Sequence, residues 1–388
     1  MSRARIHRLL ALAVIAAAVA FPARAGSAPV RLVQQNHPAF DQVIDAPTTS
    51  AKAWMRSRYH RMVGFSPYFD ARLAWYGRAW AYQDLYAIYP GSTVAREHPD
   101  WILRDRAGRR LFVDHDCAHG SCPQWAADIT RPAYRAWWIA QARSLLTRGY
   151  AGIWVDDVNV DRAVADGHGR PVTPVTRRGE FSEPGWARAV AAFAAQIRAA
   201  LPAAEIVHNS VWFARRASGQ PAGSDPDVLA QLSAADWVNV ERGCTDPGLT
   251  GGTGEWSLRA LLDYVDRVHQ AGVPVIWQPY ARTARQREYN LACLLLTRRG
   301  RDLLADQDAR PSRWWAGFDT DPGTPGGGRY DWQALIRRDF TRAIVLLNPP
   351  GEPPRTVALD GRYVRVDGTA VPAALTVRGG RAFVLLRN

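Results

Sequence analysis

The stretch from Gly149 to Asp161, GYAGIWVDDVNVD, sets two adjacent carboxylates, Asp156 and Asp157, directly behind the apolar run Ile153-Trp154-Val155. Neighbouring carboxylates raise each other's cost of ionising, so the pair calls for a reason. Other apolar runs end in a similar way. The first leads to Tyr68, Phe69 and Asp70, and the next to Tyr82, Asp84 and Tyr86. Asn159 follows the Asp pair. His208-Asn209-Ser210 closes another run, with Trp212 behind it. WVNVERG delivers Asn239 and Glu241, and WQPY delivers Gln278 and Tyr280. Carboxylates from two different strands can share the work of cleaving a glycosidic bond: one protonates the departing oxygen, the other attacks the anomeric carbon or activates water. Aromatic rings suit the C–H faces of sugars, and amides and Asp suit their hydroxyls.

Within a strand, alternate residues share a face. Trp154 and Asp156 share one face, Val155 and Asp157 the other, so only one Asp of the pair is expected to enter a common site. Asp156 is the candidate nucleophile, Glu241 the candidate general acid/base, and Asp157 the residue that holds the loop or Asp156. Which of the two Asp residues is catalytic stays open at this level. Substrate contacts are expected from Tyr68, Asp70, Asp84, Trp154, Asp157, Asn159, Asn209, Trp212, Asn239, Gln278 and Tyr280.

Positioning such a set takes alternating strands and helices. The pattern reads as strands near 61–66, 151–155, 205–208, 236–240, 273–278 and 303–304, a strand running into an aromatic loop over 79–89, and helices over 132–148, 183–200, 227–234, 257–271 and 285–299. Asp128 and Thr130 are placed to cap the first of these helices, just ahead of Pro132. Short, mostly apolar strands alternating with helices argue for a parallel sheet. The number of units favours a closed (β/α)8 barrel of the TIM type, whose functional side chains gather at the C-terminal strand ends. An open doubly wound sheet is the competitor. Past the Pro/Gly connector at 321–328, short strands with tight turns predict a small antiparallel β-sandwich. The expected division is 1–25 signal peptide, 26–330 barrel and 331–388 sandwich.

Bulk properties narrow the function classes. Arg3, Arg5 and Arg8, then apolar Leu9 to Phe21, then Ala23-Arg24-Ala25 read as a secretory signal. That run is too short for a membrane span, and none is expected later. The chain is therefore expected to be exported, to periplasm or medium. Its formal charge is +13, carried almost wholly by scattered arginines with no basic stripe, so no nucleic-acid partner is expected. Of four cysteines, Cys117 and Cys122 are expected to form a local disulfide, while Cys244 and Cys293 could pair. The segment Asp114-His115-Asp116-Cys117…His119…Cys122 is also dense in metal-ligand types, but a disulfide loop is the favoured reading. Asp157-x-Asn159-x-Asp161 begins like a calcium loop and fails at Arg162, where Gly is needed, and at His168, where Glu is needed. There is no H-E-x-x-H, P-loop or G-x-S-x-G. No metal and no cofactor are expected.

The set HPDWILRDRAGR (98–109), WAADITRPAYRAWW (125–138), GYAGIWVDDVN (149–159), WVNVERG (237–243), YNLACLLLTRRG (289–300) and RRDFTRAIVLLNP (337–349) resembles the hypothetical glycosyl hydrolase family 15. The resemblance runs from about residue 60 to the end. It implies a (β/α) barrel with a small C-terminal β-sandwich, similar to the α-amylase and α-galactosidase architecture. It also implies a nucleophilic Asp at the end of the fourth strand, which is the position of Asp156. Glu241 rests on the reading of the residues alone. The expected activity is hydrolysis of a polysaccharide or oligosaccharide with retention. The alternatives are a non-catalytic carbohydrate-binding barrel and a metal-dependent polysaccharide deacetylase using residues 114–122.

Overall fold

A computed structural model describes residues 32–34, 40–210, 225–306 and 309–388. The proposed signal segment and Trp212 lie outside the described residues. Eight strands close into a barrel: β1 Leu32–Gln34, β2 Tyr59–Gly64, β3 Trp80–Asp84, β4 Gly152–Asp156, β5 Glu205–Asn209, β6 Trp237–Arg242, β7 Val275–Pro279 and β8 Leu303–Ala305. Every neighbouring pair is parallel, and β1 closes the ring between β8 and β2. Helices α1 Thr49–Arg58, α2 Asp70–Leu73, α3 Pro132–Thr147, α4 Glu183–Ala200, α5 Pro226–Ser233, α6 Leu258–Gln270 and α7 Ala284–Thr297 lie between consecutive strands. Among the described residues, short 3-10 turns follow β8 before the C-terminal strands.

Local chemistry explains several boundaries. Ser182 and Ser257 cap α4 and α6 through their hydroxyls, and Thr283 with Gln286 forms a capping box on α7. The expected cap on α3 is different. Arg131 occupies the cap position with no side-chain bond to the helix's N–H groups, and Asp128 instead accepts the Thr130 N–H and hydroxyl within the turn ahead of the helix. Asp128 sits three residues before the cap position, too early to reach the helix's free N–H groups. At Gly152, β4 approaches β5 so closely that an added Cβ would lie 2.0 Å from the Glu205 carbonyl oxygen.

The barrel interior is filled by Val63, Trp80, Trp154, Val207, Trp237, Ile276, Leu303 and Ala305. Truncating any of these three tryptophans to Ala would cost about 3–5 kcal/mol. Beneath them, Glu205 accepts from the Arg61 guanidinium and, at 2.7 Å, from Trp80 Nε1. The interior therefore has a polar floor, an aromatic middle and an open upper end.

Two long insertions leave that upper end, after β3 and after β4. They pair as one four-stranded antiparallel sheet of Ala87–Ile88, Trp125–Ala126, Phe112–Val113 and Val164–Ala165. Cys117 and Cys122 are disulfide-bonded within it. The C-terminal strands are β9 Tyr330–Trp332, β10 Leu335–Asp339, β11 Ala343–Asn348, β12 Arg355–Ala358, β13 Tyr363–Arg365, β14 Ala374–Val377 and β15 Arg381–Arg387. They form a five-stranded antiparallel sheet, β9-β10-β11-β15-β13, and a two-stranded sheet, β12-β14. Leu335, Ile344, Leu346, Val357, Leu375, Val377, Phe383 and Leu385 pack between them. The module docks on α7, where Arg338 Nη1 donates to the Leu295 carbonyl at 2.7 Å and the Val384 N–H donates to Glu288 at 3.2 Å.

Candidate active site

β4 stops at its two carboxylates because Asp157 takes φ +55°, a left-handed turn that breaks the strand. Asp156 keeps the inward face it shares with Trp154. Both line a cavity of about 150 Å³ together with Val63, Phe65, Tyr82, Asn209, Glu241 and Gln278. These residues come from six strands or strand ends, β2 to β7, so the barrel itself fixes their spacing.

The hydrogen bonds converge on the two carboxylates. Asp156 Oδ1 accepts Asn209 Nδ2 at 2.7 Å and the Asp157 backbone N–H at 2.8 Å. Its Oδ2 accepts the Tyr82 hydroxyl at 2.5 Å. Glu241 Oε2 accepts the same Asn209 nitrogen at 3.0 Å, and Oε1 accepts the Tyr280 hydroxyl at 2.5 Å. One amide nitrogen thus serves both acids, and their nearest oxygens stand at most about 5.7 Å apart, the sum of its two bonds. Asn209 is aimed in turn by the fully buried Asn239, whose Nδ2 donates to Asn209 Oδ1 at 2.8 Å and also to Gln278 Oε1.

Electrostatics follow from this geometry. Burial pushes the Asp156 carboxyl above its ordinary range, and the Glu241 charge adds to that. The bonds from Tyr82, Asn209 and the Asp157 N–H pull it back. Asp157 is pushed up to about 7, first by burial and then by the Asp156 charge. Asp84 is raised well above its usual value by burial, then by Asp157 and Asp156, against two backbone N–H bonds that favour its charge. Behind the site, burial holds His208 down to about 3, so it is neutral; its Nδ1 faces Gln231 Nε2 at 2.9 Å and ties β5 to α5.

The loop after Glu241 is pinned. Arg242 takes φ +62°, the turn Gly243–Thr245 follows, and Cys244 is bonded to Cys293 on α7. The Tyr280 N–H donates to Thr245 Oγ1 at 3.1 Å, so the turn also steadies the tyrosine that holds Glu241.

The residues singled out in the sequence fall into separate groups. Asp156, Glu241, Trp154, Asn209 and Gln278 meet in the cavity, with Asn239 beneath and Tyr280 at the rim. Asp84, Asp157 and Asn159 stand behind Asp156. Asn159 donates to Asp157 Oδ1 at 3.2 Å, and its carbonyl accepts Trp186 Nε1 at 2.9 Å, so it braces the turn. Tyr68 and Asp70 stand outside the cavity. The Tyr68 ring is covered by the Arg72 guanidinium, 4.9 Å from its centroid. Asp70 accepts Ser66 at 3.0 Å and Tyr150 at 2.8 Å, and pairs with Arg148 at 3.3 Å. Arg148 and Tyr150 precede the start of β4, so α2 has carried Asp70 away from the mouth. Tyr82 and Phe65, whose rings pack at 4.4 Å, belong to the cavity and were absent from the expected contacts. Tyr82 could have been found: it shares a face with Asp84 at a spacing of two, and in register it lies beside Trp154. Among the described residues no group of three or more His, Cys, Asp or Glu could hold a metal ion.

The chain matches no protein-family model and no curated protein by sequence. Among solved structures it is similar to the maltogenic α-amylase AmyB from Thermotoga neapolitana, at 12% identity and TM-score 0.53, covering 92% of this chain and 98% of that one. It is also similar to the α-glucosyl transfer enzyme XgtA, at 12% identity and TM-score 0.52, covering 92% of this chain and 99% of that one. The glycoside hydrolase domain of PelA from Pseudomonas aeruginosa is similar at 15% identity and TM-score 0.44, over 74% of this chain and 97% of that domain. At these identities the likeness concerns the fold, a barrel of the kind glycoside hydrolases use, and does not extend to membership of the family numbered fifteen.

Proposed function

We propose that this chain is an exported glycoside hydrolase that cleaves a polysaccharide with retention of configuration, with no cofactor. The observation that carries the reading is Asn209, whose single side-chain nitrogen binds Asp156 and Glu241 at once across one small cavity. A separation of roughly 5–5.5 Å between carboxyl groups suits a nucleophile and an acid/base, whereas roughly 6.5–9.5 Å leaves room for an inverting water. The upper limit set by Asn209 lies near the first range. The cavity is of the order of a single sugar ring, with Trp154 as its floor and Phe65 and Tyr82 as its aromatic wall.

In this account Asp156 Oδ2, which carries one donor where Oδ1 carries two, attacks the anomeric carbon. The glycosidic bond breaks, and the Glu241 proton passes to the departing oxygen. A glycosyl ester on Asp156 results. Water then enters, Glu241 takes its proton, the hydroxyl adds to the anomeric carbon and Asp156 leaves. Tyr82 and Asn209 keep the attacking carboxylate oriented, and Tyr280 keeps Glu241 facing it. Export rests on the basic and apolar start of the sequence, and two disulfides fit an oxidising compartment. The reading also agrees with the resemblance to the hypothetical glycosyl hydrolase family 15. The test is a panel of bacterial and plant polysaccharides assayed for new reducing ends with wild type, Asp156→Asn and Glu241→Gln. Cleavage by wild type alone supports the proposal. A polymer bound equally by all three and cut by none would make the barrel a carbohydrate-binding module instead.

A further inference from the structure

Asp84 lies next to the proposed nucleophile in the barrel, in register with Asp156 on the neighbouring strand. The Leu85 N–H after it donates to the Asp156 carbonyl at 3.0 Å. It is nevertheless closed off from the cavity: the residue is 7% exposed and does not line the pocket. Its two oxygens are treated differently. Oδ1 accepts the backbone N–H groups of Tyr86 at 3.0 Å and Ala87 at 2.7 Å. Oδ2 is buried and meets no N–H or O–H donor among the described residues. The side chain that stands against it is another carboxyl, that of Asp157.

Two carboxyl groups can bond to each other only if one of them carries a proton. The alternative, two buried carboxylates in contact, has a cost that such sites avoid by retaining a proton. The surroundings decide which oxygen carries it. Asp157 Oδ1 already accepts from Asn159, as a carboxylate would, whereas Asp84 Oδ2 has no donor of its own. The charged and titratable groups facing Asp84 or Asp157 include Tyr82 from β3, Asp156 from β4, Glu241 from β6, Tyr86 and Tyr89 from the insertion after β3, and Tyr134 from α3. All of these are acidic or phenolic, so they favour retention of the proton.

We infer that Asp84 is a positioning residue that stays protonated and donates through Oδ2 to the Asp157 carboxylate, and that this acid pair sets the orientation of Asp156. The link is direct: Asp157 is held in its left-handed turn by Asp84 and Asn159, and its backbone N–H donates to Asp156 Oδ1 at 2.8 Å. The proton also removes one negative charge from beside the residue that must attack as an anion. Asp84 thus acts through Asp157 and touches no substrate, which differs from the sugar contact expected for it from the sequence. The inference builds on the proposed role of Asp156 for its consequence, but the proton itself can be read without any substrate.

The experiment uses infrared difference spectra of the whole protein in D2O at pD 8, alongside kinetics of Asp84→Asn and Asp84→Ala. A protonated buried carboxyl gives a carbonyl band well apart from carboxylate bands. Wild type is expected to show one such band more than Asp84→Asn, the proton of Glu241 being common to both. The Asn variant keeps an acceptor for the Tyr86 and Ala87 N–H groups and a donor for Asp157. It is therefore expected to retain kcat within about threefold and to stay active at high pH, while Asp84→Ala loses roughly tenfold or more in kcat with KM little changed. Identical carboxyl bands in wild type and Asp84→Asn would overturn the inference whatever the enzyme cleaves. A loss of activity in Asp84→Asn as deep as that of Asp156→Asn would overturn it as well, because it would make the ionised carboxylate the working form.

Discussion

Replacing Asn209 by Ala removes a group that, among the described residues, bonds both proposed catalytic acids. Three bonds disappear: to Asp156 at 2.7 Å, to Glu241 at 3.0 Å and from Asn239 at 2.8 Å. Asp156 keeps the Asp157 N–H and the Tyr82 hydroxyl, Glu241 keeps Tyr280, and Asn239 keeps Gln278. A hydrogen bond to a charged group is worth about 1.5–3 kcal/mol, so the two lost to carboxylates sum to about 3–6 kcal/mol. Part of that is shared by ground and transition states and cancels. A loss of about 100- to 1000-fold in kcat/KM is therefore expected, or about 2.7–4 kcal/mol. The assay is initial-rate release of reducing ends on a polymer that wild type cleaves, with thermal unfolding measured in parallel. Asn209→Asp sharpens the test: a carboxyl there can donate only while protonated, so its activity should recover toward acid pH, whereas Asn209→Ala should show no such recovery. Activity of Asn209→Ala within threefold of wild type, with an unchanged fold, would refute the idea that this amide couples the two acids.

Stability should fall as pH rises. Asp157 titrates at about 7 in the folded protein and near 4 when unfolded, so between these values only the folded state holds the proton. At about 1.4 kcal/mol per pH unit the loss across that window is at most about 4 kcal/mol; Asp157→Asn should flatten the slope of unfolding free energy against pH between 4 and 7. A slope equally steep in that variant would assign the dependence elsewhere. Glu205→Ala strands Arg61 and the Trp80 N–H in the barrel floor and should lower stability by about 3–5 kcal/mol in urea titrations. Tyr82→Phe removes one bond to Asp156 and should reduce kcat about 10- to 100-fold with KM nearly constant. Replacing both Cys244 and Cys293 by Ala opens a crosslink between residues 49 apart, worth about 4 kcal/mol by chain entropy, and should lower the melting temperature.

The barrel was legible because its strands are continuous apolar runs that end abruptly in polar groups. GIWVD and WVNVER each carry four buried residues before the first partly exposed carboxylate. The helices over 183–200, 257–271 and 285–299 were readable from their alternation with these runs. β1 was harder to see: three residues, Leu32–Gln34, are too few to show a period. The site was legible where strand alternation holds, as for Trp154 with Asp156 and Asn239 with Glu241. It failed where the chain leaves the strand. Asp70 follows β2 closely in sequence, yet α2 starts on it and turns it toward Arg148. Asp157 breaks alternation through its backbone angle, which no residue type at that position announces. The pairing of Asp84 with Asp157 joins two strand ends across register and has no one-dimensional signature.

The most direct test of the central claim is mass spectrometry of Glu241→Ala incubated with a glycosyl fluoride of the sugar that wild type releases. Fluoride departs without a proton from Glu241, whereas hydrolysis of the ester needs its base, so the glycosyl ester should accumulate and the peptide containing Asp156 should gain the mass of a glycosyl unit. An adduct on any other residue, or no adduct together with an inverted anomeric product from wild type, would contradict the assignment of Asp156 as the nucleophile.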